Sequence, residues 1–236
     1  MSPQTHKIRE MFNDISGRYD FLNHFLSFGI DRCWRKRVVR EIRHRFPGTE
    51  GKLMILDMAT GTGDLAIAMA SLNPFRIEGV DVSPDMMAIG KTKVAERNLQ
   101  HMIVFTEAAA EKIPFPDDSF DAVTVAFGVR NFENREQGLS EMRRVMKPGG
   151  LMLVLEFSHP RVFPFKQLFR LYSRFVIPAV GMMVSGSRLA YTYLPESAAA
   201  FPSGRDFLKI MEDCRLKNVR QIPLTLGIAS VYSGEK

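Results

Sequence analysis

The chain has 236 residues, 45% hydrophobic and 25% charged, a balance that excludes a disordered or fibrous chain and sets a single compact domain as the expectation. Cys33 and Cys214 stand far apart without CxxC or Cys/His spacing, which argues against a disulfide scaffold, a zinc centre or a thiol redox motif and fits a reducing cytosol. The net charge of +6 is uneven: residues 51–157 carry 11 basic and 15 acidic groups, whereas 1–50 carry 10 and 6 and 158–200 carry 5 and 1.

The first 50 residues read as helical and aromatic-rich, with charges where a signal peptide would place its apolar core. From Leu53 to Leu56 an apolar run ends at Asp57; a glycine turn, Gly61-Thr62-Gly63, and a helix-like stretch from Leu65 to Ala70 follow. A second unit repeats the scheme, with a strand from Ile77 to Val82, Ser83-Pro84 as cap and first helical position, and a helix to about Arg97. Met102–Thr106, Ala122–Phe127 and Leu151–Phe157 are three further strands. A helix from about Arg135 to Val145 and a turn at Lys147–Gly150 separate the last two. A helix over Gly204–Cys214 and a closing strand pair, Lys217–Gln221 and Ile228–Tyr232, end the chain. Alternating strand and helix predicts an α/β fold, a doubly wound, Rossmann-like and mostly parallel sheet. It divides into a helical N-terminal segment (1–50), an α/β core (51–157), a helical insert (158–202) and a closing helix with strands (203–236).

Gly61-Thr62-Gly63-Asp64-Leu65-Ala66 fits G-x-G-x-x-G/A directly after a strand, and Asp81 stands 20 residues past Gly61 at the end of the next strand. Glycines let the backbone approach a cofactor, and the acidic residue can accept the ribose hydroxyls. A tight structural turn is the plain alternative. Charge separates the ligands better: Asp57 and Asp64 flank the loop, where they would repel a pyrophosphate and attract the cationic tail of S-adenosylmethionine, disfavouring NAD. A first-turn carboxylate on the helix dipole is the alternative for Asp64. The histidines, His6, His24, His44, His101 and His159, form no HxxxH or HExxH pair, and no metal is expected.

The series ILDMATGTGD, GVDVS, IPFPDDSFD and RVMKPGG resembles class I S-adenosylmethionine-dependent methyltransferases across about residues 50–157. MFNDISGRYDFLNHFLSFGIDRCWRK at 11–36, FGVRN at 127–131, LEFSHP at 155–160, Tyr191–Ser197 and Phe201-Pro202 narrow the resemblance to the ubiquinone and menaquinone C-methyltransferase family, over nearly the whole chain. The resemblance implies transfer of a methyl group from S-adenosylmethionine to a ring carbon of a reduced polyprenyl quinone, demethylmenaquinol being preferred over a benzoquinol precursor of ubiquinone. A non-catalytic cofactor-binding scaffold stays open as an alternative.

That resemblance also assigns residues. Thr62 and Asp81 match cofactor-binding positions, alongside Asp57, Gly61, Gly63 and Asp64, with Ala109 and Ala110 at the adenine-facing pair and Ala126 at a further contact position. Relatives commonly carry Asp or Asn where Ala109 stands. Arg130 and Asn131 should face the reacting ring, while Tyr19 and Asp20 belong to the N-terminal segment, a lid over the cofactor-binding core. Arg130 cannot accept a proton itself; it can stabilise a phenolate or hold a water that does, unless it is tied to Glu156 as a structural bridge. Tyr191 and Tyr193 either shape the ring pocket or sit against the core. In the insert, Lys166, Gln167, Arg170, Ser173 and Arg174 form a polar stripe beside a wide apolar face; such a helix packs on a core, lies on an anionic membrane or covers a lipid-tail channel. The expected partners are thus a polyprenyl quinol and a peripheral membrane contact through 163–184, in the cytoplasm or at the inner face of the membrane. Homodimer formation is left open, and nucleic acid is not expected because the basic surplus lies with apolar flanks and no Asp/Asn-Pro-Pro-Tyr/Phe motif occurs.

Overall fold

In a computed structural model, residues 3–158, 160, 163–164, 166–167, 171–176, 193 and 196–236 are described. Helices α1 (Pro3–Leu26) and α2 (Ile30–Arg45) precede β1 (Met54–Met58), α3 (Asp64–Met69), β2 (Arg76–Asp81), α4 (Pro84–Glu96), β3 (Ile103–Glu107), β4 (Phe120–Ala126), α5 (Arg135–Val145) and β5 (Met146–Phe157). Then come α6 (Arg205–Asp213), β6 (Lys217–Leu224) and β7 (Ala229–Glu235). Together the strands form one seven-stranded sheet in the order β3-β2-β1-β4-β5-β7-β6, parallel from β3 to β5, with β7 antiparallel between β5 and β6.

The parallel strands are buried on both faces because helices cover each side, so they read as continuous apolar runs rather than alternating ones. Leu56, Val123, Val125, Met152 and Val154 pack toward α5 and α6; Ile55, Ile77, Leu153 and Leu155 pack toward α2 and α3. Trp34, Val38, Val39 and Ile42 give α2 its buried face. The local signals match the elements. Ser83 accepts a hydrogen bond from the Met86 amide at 3.2 Å with Pro84 in the first turn of α4, and Asn134 accepts from the Gln137 amide at 3.0 Å at the start of α5. Pro223 is tolerated because β6 is an edge strand.

Two readings are corrected. The expected turn at Lys147–Gly150 is a bulge inside β5: Met146 pairs with Phe120 and Leu151 with Ala122, so four residues oppose Asp121. Gly149, at φ 76°, makes the detour, and Lys147 bonds the Asp121 carboxylate at 2.8 Å. The closing strands extend further than read from the sequence, because pairing with β5 continues to Glu235. Of the insert helix expected over 165–177, residues 166–167 and 171–176 are described and are helical, with Tyr172–Val176 as a π-helical turn.

Candidate active site

Strand order reverses between β1 and β4, the position where an open α/β sheet leaves a crevice at its carboxyl ends. The backbone there is forced into unusual shapes. Ala59 (φ 52°) and Phe127 (φ 56°) both adopt the left-handed region, which side chains other than glycine seldom occupy. Gly128 must lack a side chain, since a Cβ there would sit 2.5 Å from the Ala59 Cβ. Gly61 and Gly63 carry φ of 57° and 78°, and Gly63 opens α3.

Two lobes share Ala59, Gly61, Ala126 and Phe127 as their common wall. The first, about 720 Å³ out to its open mouth, lies over the glycine loop and is walled by Trp34, Phe127, Arg130 and Phe157, with Asp20, Asp31 and Arg35 from the N-terminal helices. Trp34, Phe127 and Phe157 are mutually packed at ring-centroid distances of 4.7–6.3 Å, and the Trp34 indole donates to Thr225 Oγ1 at 2.8 Å. The second lobe, about 660 Å³, is lined by Asp81, Val82, Met86, Ala110, Asn131 and Phe132 and covered by Ile8 and Phe12 of α1. Helix α1 is fastened over it by a hydrogen bond from Ser83 Oγ to Asn13 Oδ1 at 2.5 Å and an Arg9–Glu107 ion pair at 2.9 Å.

The carboxylates occupy three different environments. Asp57 is buried, and burial pushes its carboxyl up to about 6, although Thr124 and Thr60 hydroxyls each donate to it at 2.7 Å. Asp81 is also raised by burial, opposed by backbone amides of Ser83 at 2.9 Å and Gly61 at 2.8 Å. It therefore holds the glycine loop in place and still presents acceptor lone pairs to the second lobe. Asp64 corrects the electrostatic argument drawn from the sequence. Lys93 Nζ contacts it directly and Arg35 lies 3.1 Å away, so its charge is compensated by protein cations rather than left for a ligand. Asp57 lines the first lobe and Asp81 the second, each held by hydroxyl or amide donors rather than by a cation.

Asp20 reaches from α1 to the glycine loop, accepting from Thr62 Oγ1 at 2.6 Å and from Lys93 Nζ at 2.7 Å. The Tyr19 side chain lies outside the described residues, as do His159 and Tyr191. Ala110 and Ala126 line the cleft; Ala109 stands beside it without lining either lobe. Among the described residues, the one convergence of histidine and carboxylate ligand atoms is His24, Asp31 and Asp64. Arg35 supplies the positive charge there, at 2.5 Å from Asp31; burial works to raise the Asp31 carboxyl, but Arg35, Ser27 and His24 hold it below its usual range.

At the far end of the first lobe, Arg130 takes the alternative foreseen from the sequence: its Nη1 donates to Glu156 Oε1 at 2.6 Å, with side-chain exposures of 4% and 0%. Its guanidinium also lies 5.3 Å from the Phe157 ring centroid. The pairing does not remove Arg130 from the site, since it still lines the first lobe. Three buried polar atoms in this cluster have no hydrogen-bond partner among the described residues: Arg130 Nε, Glu156 Oε2 and Arg135 Nε. Burial pushes the Arg135 guanidinium down while the Glu156 charge supports it. Tyr193 donates to Asn131 Oδ1 at 3.0 Å, and burial raises its phenol above the usual value. Glu156 and Arg135 escaped the sequence reading as site residues; the LEFSHP motif contained the first, and Arg135 carried no signal beyond its place at the start of α5.

A switch-point crevice with a glycine loop and a carboxylate at the end of β2, on a seven-stranded sheet closed by an antiparallel β7, is the arrangement of the S-adenosylmethionine-dependent methyltransferase class. Solved structures share the fold: methyltransferases of that class from Aquifex aeolicus (TM-score 0.60, 19% identity, covering 84% of this chain and 89% of that one) and Thermotoga maritima (0.64, 17%, 96% and 99%). The model of the ubiE/COQ5 methyltransferase family matches residues 1–236, and the chain belongs to that family. It is an S-adenosylmethionine-dependent C-methyltransferase. Among its relatives are the ubiquinone/menaquinone biosynthesis C-methyltransferase UbiE of Geotalea daltonii, 49% identical over 98% of this chain and 96% of the relative, and the demethylmenaquinone methyltransferase of Porphyromonas gingivalis, 44% identical over 99% and 94%.

Proposed function

We propose that this chain methylates a ring carbon of a reduced polyprenyl naphthoquinone, converting demethylmenaquinol to menaquinol. The observation that carries this reading is Arg130: a buried cation, braced by Glu156, that faces a lobe walled by Trp34, Phe127 and Phe157. Such a lobe suits a flat aromatic ring bearing an oxygen that becomes negative. The relatives' names cover both a ubiquinone and a menaquinone branch, and the benzoquinol precursor is the second reading.

The residues present fit the cofactor. Asp81, in the second lobe, is the acceptor for ribose hydroxyls, Ala110, Met86 and Phe132 give an apolar slot for adenine, and Gly61, Thr62, Gly63 and buried Asp57 receive the amino-acid end. The pair Ala109-Ala110 offers backbone rather than a side-chain carboxylate to adenine, and Ala126 acts by packing. When bound, S-adenosylmethionine supplies an electrophilic methyl group on a sulfonium. The chain must hold the acceptor carbon in line with it and exclude water. Arg130 stabilises the phenolate left when a water beside it takes the hydroxyl proton, and that phenolate makes the neighbouring ring carbon nucleophilic. Asn131, held by Tyr193, lines the second lobe next to Arg130 in the chain and helps to fix the Val129–Asn131 turn that presents Arg130 to the ring. Asp20, with Tyr19 beside it, fastens α1 to the glycine loop through Thr62, so the N-terminal segment serves as the lid, 51–157 as the cofactor core, 158–202 as the substrate cover and 203–236 as the closing unit.

Residues 163–184 contribute a peripheral membrane contact at the inner face of a cytoplasmic membrane, consistent with the exposure of Phe163, Leu171 and Phe175. Among the described residues no helix is long and apolar enough to cross a membrane. The test is methylation of a short-chain demethylmenaquinol in reduced and oxidised form: turnover confined to the reduced form supports the reading, and absence of turnover on either removes it.

A further inference from the structure

Seven of the nine exposed large hydrophobic residues among those described fall in two segments far apart in sequence: Phe25, Phe28 and Ile30 at the α1–α2 turn, and Phe163, Leu171, Phe175 and Val176 in the insert. The fold brings these segments together. Tyr172 donates its hydroxyl to the Leu26 carbonyl at 2.7 Å, and its ring lies 6.1 Å from that of Phe28. Ser27, between Phe25 and Phe28, lines the first lobe, so the apolar surface borders the mouth of the substrate cleft.

Phe28 is unfavourable there on two counts within the monomer. It is 77% exposed, and its φ of 51° belongs to the left-handed region that suits glycine or asparagine. Among the described residues its ring contact is with Tyr172.

Helix α2 starts from this turn and adds charge. Arg32, Lys36, Arg40 and Arg43 are exposed at spacings that form one stripe, opposite buried Trp34, Val38 and Ile42. None of the ion pairs among the described residues includes Arg32, Lys36 or Arg40. An aromatic knob at the end of an unneutralised basic stripe matches the chemistry of an anionic lipid surface, apolar below the headgroups and negative at their level.

We infer that the α1–α2 turn and the basic face of α2 dock this chain on an anionic bilayer, with Phe28 and Phe25 inserted and Arg32, Lys36 and Arg40 on lipid phosphates. This rests on the proposed polyprenyl acceptor, whose tail resides in lipid: docking presents the mouth of the first lobe to the bilayer, so the ring enters while the tail stays behind. It assigns the primary contact to the N-terminal helices, with the insert as a second edge.

The test is flotation of the full chain with vesicles of phosphatidylglycerol and phosphatidylcholine against vesicles of phosphatidylcholine alone. The wild type should bind the anionic vesicles preferentially. Phe28→Asn, which suits the local backbone, should weaken binding about tenfold, and the triple variant Arg32→Gln, Lys36→Gln, Arg40→Gln about a hundredfold. Both should keep the wild-type melting temperature and the wild-type rate on a soluble short-chain quinol. Binding indifferent to phosphatidylglycerol, or variants that float like the wild type, would overturn the inference. So would a wild type that ignores vesicles but forms a dimer broken by Phe28→Asn, which would make the face a subunit interface. Loss of short-chain turnover in the wild type would instead strike the proposed acceptor and leave the flotation result standing.

Discussion

The guanidinium of Arg130 and the carboxylate of Glu156 meet at 2.6 Å beneath the first lobe, both buried, with Arg130 Nε and Glu156 Oε2 left without hydrogen-bond partners among the described residues. A buried pair of this kind is costly to break, because removing one partner leaves the other charge uncompensated. Its retention beside the cleft fits a group held ready for charge that develops only during reaction.

Arg130→Ala should therefore do two separable things. Turnover should fall about a hundredfold or more with the S-adenosylmethionine Kd changed less than threefold, and stability should fall by about 3–5 kcal/mol. The double variant Arg130→Met, Glu156→Leu should recover most of the stability and none of the turnover. Denaturant melts and initial rates of the three proteins check this; recovery of activity in the double variant would remove Arg130 from the chemistry.

Asp57 sets a pH dependence opposite to that of a salt-bridged carboxylate. Its folded value of about 6 lies above the usual 3.8, so between those values the native state holds more protons than the unfolded chain. Its contribution is then most favourable in acid and declines as pH rises through roughly 4 to 6, costing on the order of 3 kcal/mol at neutral pH. Asp81, also raised, acts in the same direction. Cofactor-free protein should show a shallower acid loss of stability than its surface charge would give, and Asp57→Asn should remove this component. Cofactor affinity should weaken below pH 6 as Asp57 loses its charge, measurable by calorimetry.

Gly128→Ala tests the strained wall between the lobes. The added methyl would meet Ala59 Cβ at 2.5 Å and Val125 Cγ2 at 3.1 Å, both in the packed switch point. A stability loss of about 1–3 kcal/mol should follow, together with a drop in turnover because the Val129–Asn131 turn must shift. A variant with wild-type rate and stability would show that the wall yields freely.

Lys93 ties the lid to the core through Asp20 and Asp64 while also contacting Thr62 Oγ1 at 3.1 Å. Lys93→Met should speed amide exchange across α1 and weaken S-adenosylmethionine binding about tenfold. Unchanged exchange would place the lid's hold elsewhere, at Ser83–Asn13 and Arg9–Glu107.

Much of the scaffold was legible in the sequence because its signals are local. Ser83-Pro84 marks the start of α4, the Leu53–Leu56 run marks β1, and Gly61 and Gly63 mark a turn whose φ values only glycine adopts readily. Charge neighbours were not legible. Lys93 stands 29 residues from Asp64, yet neutralises it by crossing from α4, and no pattern along the chain announces that contact. The Glu156 partner of Arg130 was visible only as an alternative, since the adjacency of β4 and β5 fixes it. The bulge at Lys147–Gly150 carried the ordinary marks of a turn, and only pairing with Phe120 and Ala122 reveals it as part of the strand.

The central claim is the acceptor. The most direct measurement incubates the purified chain with methyl-labelled S-adenosylmethionine and an equimolar, chemically reduced mixture of demethylmenaquinol and the 2-methoxy-6-polyprenyl benzoquinol precursor, followed by mass spectrometry of both quinones. Label on the naphthoquinol ring carbon, absent when the reductant is omitted, is the expected result. Label on the benzoquinol alone, or none on either while the cofactor binds, would contradict it.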